Sequence, residues 1–213
     1  PVVIPLTQDQ IDAIPFFKNT HRFYLSLSRL VHYKRIDLSI LACLQLGKTL
    51  VVAGSGEAEQ HLHTLAGTHA CVRHKDEALE AFLQRATKEE KLIWFTGLVT
   101  QEETYKLYKN CEVVLMPGQE DFGISALEAG IFGKAVILFY TSGVAELLTN
   151  NTHAVYITKE TVPEMVYALA KFETLELEST QIQHNARKHS VSAFQAAFLQ
   201  NILTKLKGTY VVS

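Results

Sequence analysis

The 213-residue sequence predicts a single α/β domain, doubly wound around a six-stranded parallel sheet with helices on both faces. Three observations carry that expectation. Short β-branched and aromatic runs alternate with helical patterns along most of the chain. The runs are continuously apolar rather than alternating, as strands covered on both faces are. Finally, a hydrophobic content of 47% is enough to bury one substantial core without dividing the chain.

Strands are expected near Phe23–Leu27, Leu50–Ala53, Leu92–Phe95, Val113–Met116, Val136–Phe139 and Ala154–Ile157, each bounded by polar or glycine-containing turns. Helical periodicity falls near Ile36–Leu46, Ala58–Leu65, Asp76–Ala86, Thr100–Lys109, Gly123–Phe132 and Gly143–Leu148, then near Val162–Lys171, Gln181–His189 and Ser192–Leu206. The polar stretch from Gly67 to Lys91 is longer than a minimal unit needs and is read as room for an extra helix. If the strand order is the common 3-2-1-4-5-6, the first and fourth strands are neighbours and the winding reverses between them. A ligand crevice should then open beyond their carboxyl ends.

Composition excludes several function classes. Lys+Arg 20 against Asp+Glu 22 leaves a net charge of -2, so no broad positive field favours nucleic acid or an anionic membrane surface. Three cysteines, Cys43, Cys71 and Cys111, are widely spaced within apolar stretches and read as buried, reduced thiols of a cytoplasmic protein. The longest apolar runs, such as Ala135 to Tyr140, fall far short of the roughly 20 residues of a membrane-spanning helix, so no transmembrane segment is expected. The chain begins at Pro1 without an initiator Met and is read as a piece of a longer polypeptide.

The two segments leaving the first and fourth strands carry the most chemistry. Ser28-Arg29-Leu30-Val31-His32-Tyr33-Lys34-Arg35 spaces Arg29 and Lys34 so that both cations reach one diphosphate, Arg as a planar fork and Lys as a point charge. Two cations in a loop are equally an ordinary solvated surface. On the binding reading, truncating either to Ala should weaken nucleoside diphosphate binding and leave the melting of the free protein unchanged.

Pro117-Gly118-Gln119-Glu120-Asp121-Phe122-Gly123 runs into a helix, so N–H groups around Gly123, Ile124 and Ser125 should point outward at its start, where phosphate binds well. Glu128 lies about a turn further on, among Ala126, Leu127 and Ala129, where a carboxylate needs a partner and ribose hydroxyls would serve. Glu120 precedes the helix, within reach of a sugar hydroxyl. Without a ligand, Glu120 and Asp121 read as favourable first-turn acids and Glu128 as a solvated residue.

The turn Ala53-Gly54-Ser55-Gly56-Glu57 lacks the third glycine of a dinucleotide fingerprint, which argues against NAD. Thr141-Ser142-Gly143 brings a further turn to a strand end, with N–H groups that can face the same crevice. His61, His63, His69 and His74 lack the i, i+4 spacing and acidic partner of a helical metal pair, so no metal site is assigned; His32 lies inside the cationic loop as site lining or bystander.

Taken in order, Ser28 to Asp37, Val51-Val52-Ala53-Gly54-Ser55-Gly56, Phe95-Thr96-Gly97, Glu120-Asp121-Phe122-Gly123-Ile124, Leu127-Glu128-Ala129 and Gly133-Lys134 resemble the donor domain of retaining GT-B glycosyltransferases, glycosyl transferases group one. The resemblance runs from about Phe23 to Leu148, and Asn185-Ala186-Arg187 to Phe194 is similar to the family's closing helices. It implies one Rossmann-like half of a GT-B fold over 23–213, with 1–22 as interdomain linker or N-terminal extension.

It also implies metal-independent transfer, with retention, from a UDP-, GDP- or ADP-sugar that serves as donor substrate, with no cofactor. Matched positions give Glu120, Arg29 and Lys34 as catalytic residues, with Gly54, Gly56, Phe122, Gly123, Ile124, Ser125 and Glu128 lining the donor. A missing N-terminal Rossmann-like domain would supply the acceptor side, for a glycan or lipid-linked saccharide, and any peripheral contact with the inner membrane face. The chain alone is expected to bind donor without transferring. Ala135, Gly130 and Ile131 depart from the family's usual residues, away from the phosphate positions. Two other readings remain, an epimerase or hydrolase half on the same plan and a non-catalytic nucleotide-binding module.

Overall fold

The strand-forming runs are Tyr24–Leu27 (β1), Leu50–Ala53 (β2), Ala70–Val72 (β3), Ile93–Gly97 (β4), Val114–Met116 (β5), Val136–Phe139 (β6) and Ala154–Ile157 (β7), in a computed structural model that describes residues 6–190 and, beyond them, 193, 195, 196, 198–200, 202 and 203. They form one sheet in the order β3-β4-β2-β1-β5-β6-β7, and every pairing is parallel. The six expected strands take the expected order. The seventh, β3, is an addition at the edge beyond β4. It escapes sequence reading because only Cys71 of its three residues is buried and His69 and Arg73 flank it, so no apolar run marks it. The long polar stretch from Gly67 to Lys91 therefore holds a strand as well as a helix.

The helices are Gln8–Asp12 (α1), Ile36–Leu46 (α2), Glu59–Ala66 (α3), Leu79–Lys88 (α4), Gln101–Asn110 (α5), Ile124–Ile131 (α6), Val162–Thr174 (α7) and Ser179–Arg187 (α8). Successive strand residues point to opposite faces, and both faces are covered. Leu25, Val51, Trp94, Val114 and Leu138 pack with α4, α5 and α6, whereas Tyr24, Val52, Phe95, Leu115 and Ile137 pack with α2, α3 and α7. Burial on both sides is why the strands read as continuous apolar runs.

The segment 143–148, expected as a helix, is a 3-10 turn over Gly143–Leu147. Its end is fixed from outside, because the Tyr156 hydroxyl lies 2.8 Å from Ala145 O and 2.9 Å from Leu148 O and takes up carbonyls a longer helix would use. Most of the expected helix at Ser192–Leu206 lies outside the described residues. Residues 6–22 pack on the domain: Thr7 and Gln10 form a reciprocal capping box on α1, Ile11 is buried, and the Asn110 side chain accepts from Phe17 N (2.7 Å) and donates to Pro15 O (3.2 Å). Cys43, Cys71 and Cys111 are free and buried, and burial pushes the Cys43 and Cys111 thiols up to about 12.

Candidate functional site

The winding reverses at β1 and β5, which are neighbours at the centre of the sheet, joined where Leu25 N donates to Val113 O (3.0 Å). Beyond their carboxyl ends the two chemically loaded loops meet. The first contains a short 3-10 turn, His32–Lys34, and closes on Arg35 in the left-handed conformation (φ 52°). That backbone is held by ion pairs from Arg35 to Asp37 (3.0 Å) and to Glu160 (2.9 Å), so Arg35 serves the loop rather than a ligand. The Lys34 ammonium pairs with the Glu120 carboxylate from the second loop, and Leu27, Ser28, Met116 and Gly118 line the same small pocket.

Arg29 is exposed, and its guanidinium donates to the Tyr33 hydroxyl (3.4 Å), while Lys34 lies 5.0 Å from the Tyr33 ring centroid. Tyr33 therefore stands between the two cations. Nothing in the residue spacing marks Tyr33, although it lies inside the cationic loop.

The backbone around Glu120 is fixed independently of its side chain. Its N–H donates to the buried Ser142 hydroxyl (3.1 Å), and its carbonyl accepts from Gly143 N (2.8 Å). The 141–143 turn thus supports the site, with the Gly143 N–H already taken by Glu120 O. Gly123 caps α6 in the left-handed conformation (φ 67°). The first N–H engaged at this helix start is that of Ala126, on Gly123 O (3.0 Å), and those of Gly123, Ile124 and Ser125 have no hydrogen-bond partner among the described residues. Phe122 and Ile124 present exposed apolar side chains beside these donors.

Glu128 lies on α6 one turn beyond Ile124. Its carboxylate is largely buried, and Oε2 accepts a hydrogen bond from the Tyr108 hydroxyl of α5 (3.2 Å). Burial pushes the Glu128 carboxyl above its ordinary range, and the Tyr108 bond opposes that rise. Burial likewise raises the Tyr108 phenol well above its usual value, with the Glu128 charge adding to it. Tyr108 gave no sequence signal beyond an apolar position on a helix.

Gly54 and Gly56 are placed differently from the other candidates. A Cβ at Gly54 would lie 2.0 Å from Ser28 O, and one at Gly56 would lie 2.4 Å from Leu30 O. Leu30 N donates to Ser55 O (2.9 Å) and Ala58 N to Leu30 O (2.9 Å), so this turn is packed against the backbone of the loop that carries Arg29. His32 lines a cavity of about 200 Å³ with His61 and Arg35, and that lining includes neither Lys34 nor Glu120. Among the described residues no group of three or more His, Cys, Asp or Glu is placed to hold a metal ion. A cavity of about 390 Å³ at the opposite, amino-terminal ends of the strands is lined by Arg22, Lys48, Glu112 and Glu173, but these charges pair with one another, Arg22 with Glu112 and Lys48 with Glu173.

Fold and crevice together define a doubly wound α/β domain of the kind that takes its ligand at the carboxyl ends of its strands. The chain belongs to the glycosyl transferases group 1 family, whose model matches residues 7–189. A stretch of 145 residues is 28% identical to an uncharacterized glycosyltransferase of Methanocaldococcus jannaschii, covering 66% of this chain and 33% of that protein. Over 209 residues the chain is 23% identical to an alpha-1,3/1,6-mannosyltransferase of Dictyostelium discoideum, covering 95% of this chain and 49% of that one. The chain thus spans a third to a half of the curated relatives it matches.

Among solved structures, Anabaena HepE in complex with UDP has the same fold over 87% of this chain and 49% of its own, with 17% identity and a TM-score of 0.65. The C-terminal domain of the group 1 family protein LpcC from Francisella tularensis matches 88% of this chain and 91% of its own, with 19% identity and a TM-score of 0.56. The chain therefore shares the fold of that C-terminal domain. No helix among the described residues is long and apolar enough to cross a membrane.

Proposed function

We propose that this domain binds the nucleoside diphosphate sugar of a retaining, metal-independent glycosyltransferase and works with a second, Rossmann-like domain that brings a glycan or lipid-linked acceptor. The observation that carries the reading is the Lys34–Glu120 contact. It joins the two loops at the winding reversal, on the segment that runs three residues later into the open N–H groups at the start of α6. A diphosphate placed there meets Arg29 and Lys34 as charge-assisted donors and the N–H groups of Gly123, Ile124 and Ser125 at a helix start. As the sugar leaves, the growing charge on the diphosphate is stabilised by the two cations, which are already positioned before the reaction begins.

In this reading Glu120 accepts from a donor-sugar hydroxyl and Glu128 accepts from the ribose, while Phe122 and Ile124 flank the donor. Gly54 and Gly56 contribute by letting the Arg29 loop pack closely, and they need not touch phosphate.

The test is thermal melting with UDP, GDP and ADP, each with and without EDTA, beside assays for sugar release and transfer. Ligand at about 100 times its dissociation constant stabilises the fold by about 2.7 kcal/mol. In a domain of this size that is a rise of about 5–10 °C, unchanged by EDTA. No shift with any nucleotide overturns the donor-site reading. Transfer to an acceptor by the chain alone overturns the need for a second domain.

A further inference from the structure

Tyr108 is a fully buried phenol on the core side of α5, and its surroundings leave its hydroxyl little choice of direction. Phe132 stacks on the ring at 5.6 Å between centroids, and Tyr105 packs on the other part of Phe132 at 5.8 Å. The capping box of Thr100 and Glu103 anchors the start of α5. A buried hydroxyl requires a partner. Tyr108 finds one on α6: it donates to Glu128 Oε2 (3.2 Å), with the Ser125 side chain close to the phenol. Ser125 and Glu128 are three residues apart, which puts them on one helix face. Glu128 Oε1 has no protein partner among the described residues.

We infer that Tyr108 is a positioning residue: by holding one oxygen of Glu128, it aims the other at the ribose diol and sets the domain's preference for ribonucleotides over 2′-deoxyribonucleotides. The inference rests on the proposed role of Glu128 as ribose acceptor. A free glutamate side chain explores several rotamers, and fixing it in advance removes part of the entropy that binding would otherwise cost. The bond also donates to the charged carboxylate, favouring the form that accepts from two hydroxyls at once.

The experiment compares Tyr108→Phe, Glu128→Gln and the double variant. Affinity is measured for the nucleoside diphosphate that gives the largest melting shift, for its 2′-deoxy counterpart and for pyrophosphate, across a pH series. Tyr108→Phe should lower the ribo-to-deoxy affinity ratio about five- to tenfold and leave pyrophosphate binding unchanged. Because the lost bond favours the charged form of Glu128, the acidic limb of ribonucleotide binding should move to higher pH in Tyr108→Phe, which a purely structural role would not produce. In the double variant Tyr108→Phe should add nothing to Glu128→Gln.

An unchanged ratio and pH limb in Tyr108→Phe, with Glu128→Gln still losing ribose preference, overturns the role of Tyr108 alone. No ribose preference lost in Glu128→Gln overturns the role of Glu128, and that of Tyr108 with it. Should Tyr108→Phe fail to fold, the Tyr108 hydroxyl-proton resonance of the wild-type protein gives the same decision. It should shift on saturation with the ribonucleotide and shift less with the deoxynucleotide; equal shifts overturn the inference.

Discussion

Lys34 and Arg29 are equivalent in the sequence as cations of one loop, but the structure separates them. The Lys34 and Glu120 side chains are each only 16% exposed and pair with each other, whereas Arg29 is exposed and, among the described residues, reaches only Tyr33. Breaking a fully buried pair costs about 3–5 kcal/mol and breaking an exposed one about 0.2–1 kcal/mol. At this intermediate burial, Lys34→Ala should cost the free protein about 2 kcal/mol, since Glu120 is left unpaired. For a domain of 150–250 residues each kcal/mol moves the midpoint by about 2–4 °C, so Lys34→Ala should melt about 4–8 °C lower. Arg29→Ala should stay within about 2 °C of wild type.

The geometry therefore predicts an unchanged melt for Arg29→Ala and a lowered one for Lys34→Ala. Both variants should still bind nucleoside diphosphate about ten- to a hundredfold more weakly. The assay is a melt of both single variants, of Glu120→Ala and of the Lys34→Ala/Glu120→Ala pair, beside nucleotide titration. The double variant should lose less than the summed singles by about 1–2 kcal/mol. Additive losses, or equal melting of Lys34→Ala and Arg29→Ala, would refute the ion pair as a structural contact. Wild-type affinity in both single variants would remove the cations from the site.

Two further substitutions probe the same crevice. The native Glu128 carboxyl is raised by burial, so its contribution to stability is complete below the unfolded carboxylate value of about 4.3 and is lost as pH rises through the native value. Glu128→Gln, neutral throughout, should accordingly melt higher than wild type at pH 7, with the gap closing in acid; a gap that widens in acid contradicts the assignment. A Cβ at Gly118 would lie 2.1 Å from Tyr33 O and 2.7 Å from the Lys34 carbonyl carbon, so Gly118→Ala must push the two loops apart. It should destabilise by about 1–3 kcal/mol and weaken nucleotide binding, and an unchanged melt would show that the contact yields freely.

The features legible in the sequence are those set by local pattern or by topology that repeats. The span Ile36–Leu46 is seen as a helix from its apolar periodicity, and the central strands show themselves because both their faces are buried. From the strand order alone, the loops after β1 and β5 can be placed together. What remained hidden depends on contacts across long separations. The pairing of Lys34 with Glu120 spans 86 residues and rests on the exact approach of two loops, which no spacing in the sequence encodes. Gly54 and Gly56 show the same limit from another side, because a glycine that admits a phosphate and one that admits a neighbouring carbonyl look alike in sequence. The segment 6–22 is expected as part of a linker because the packing of Ile11, and more partially of Leu6, Ile14 and Phe17, on the domain's core leaves no mark in local pattern.

The arrangement has a consequence for how a donor would enter under the proposed function. In the free domain Lys34 is paired with the Glu120 carboxylate and Arg29 donates to the neutral Tyr33 hydroxyl, so at Lys34 binding is an exchange of partners rather than the filling of an unpaired site. Such an exchange is tolerable only if the groups released find equal partners on the ligand. A nucleoside diphosphate sugar offers this: the phosphate takes the cations, and a sugar hydroxyl donates to the carboxylate that Lys34 has left. A bare diphosphate takes Lys34 and leaves Glu120 with water. Because Ser142 and Gly143 hold the Glu120 backbone on both its N–H and its carbonyl, only the side chain has to move in that exchange. Under the proposed function the sugar would be recognised at the position the ion pair already marks, and Glu120 would discriminate between nucleotide with sugar and nucleotide without it.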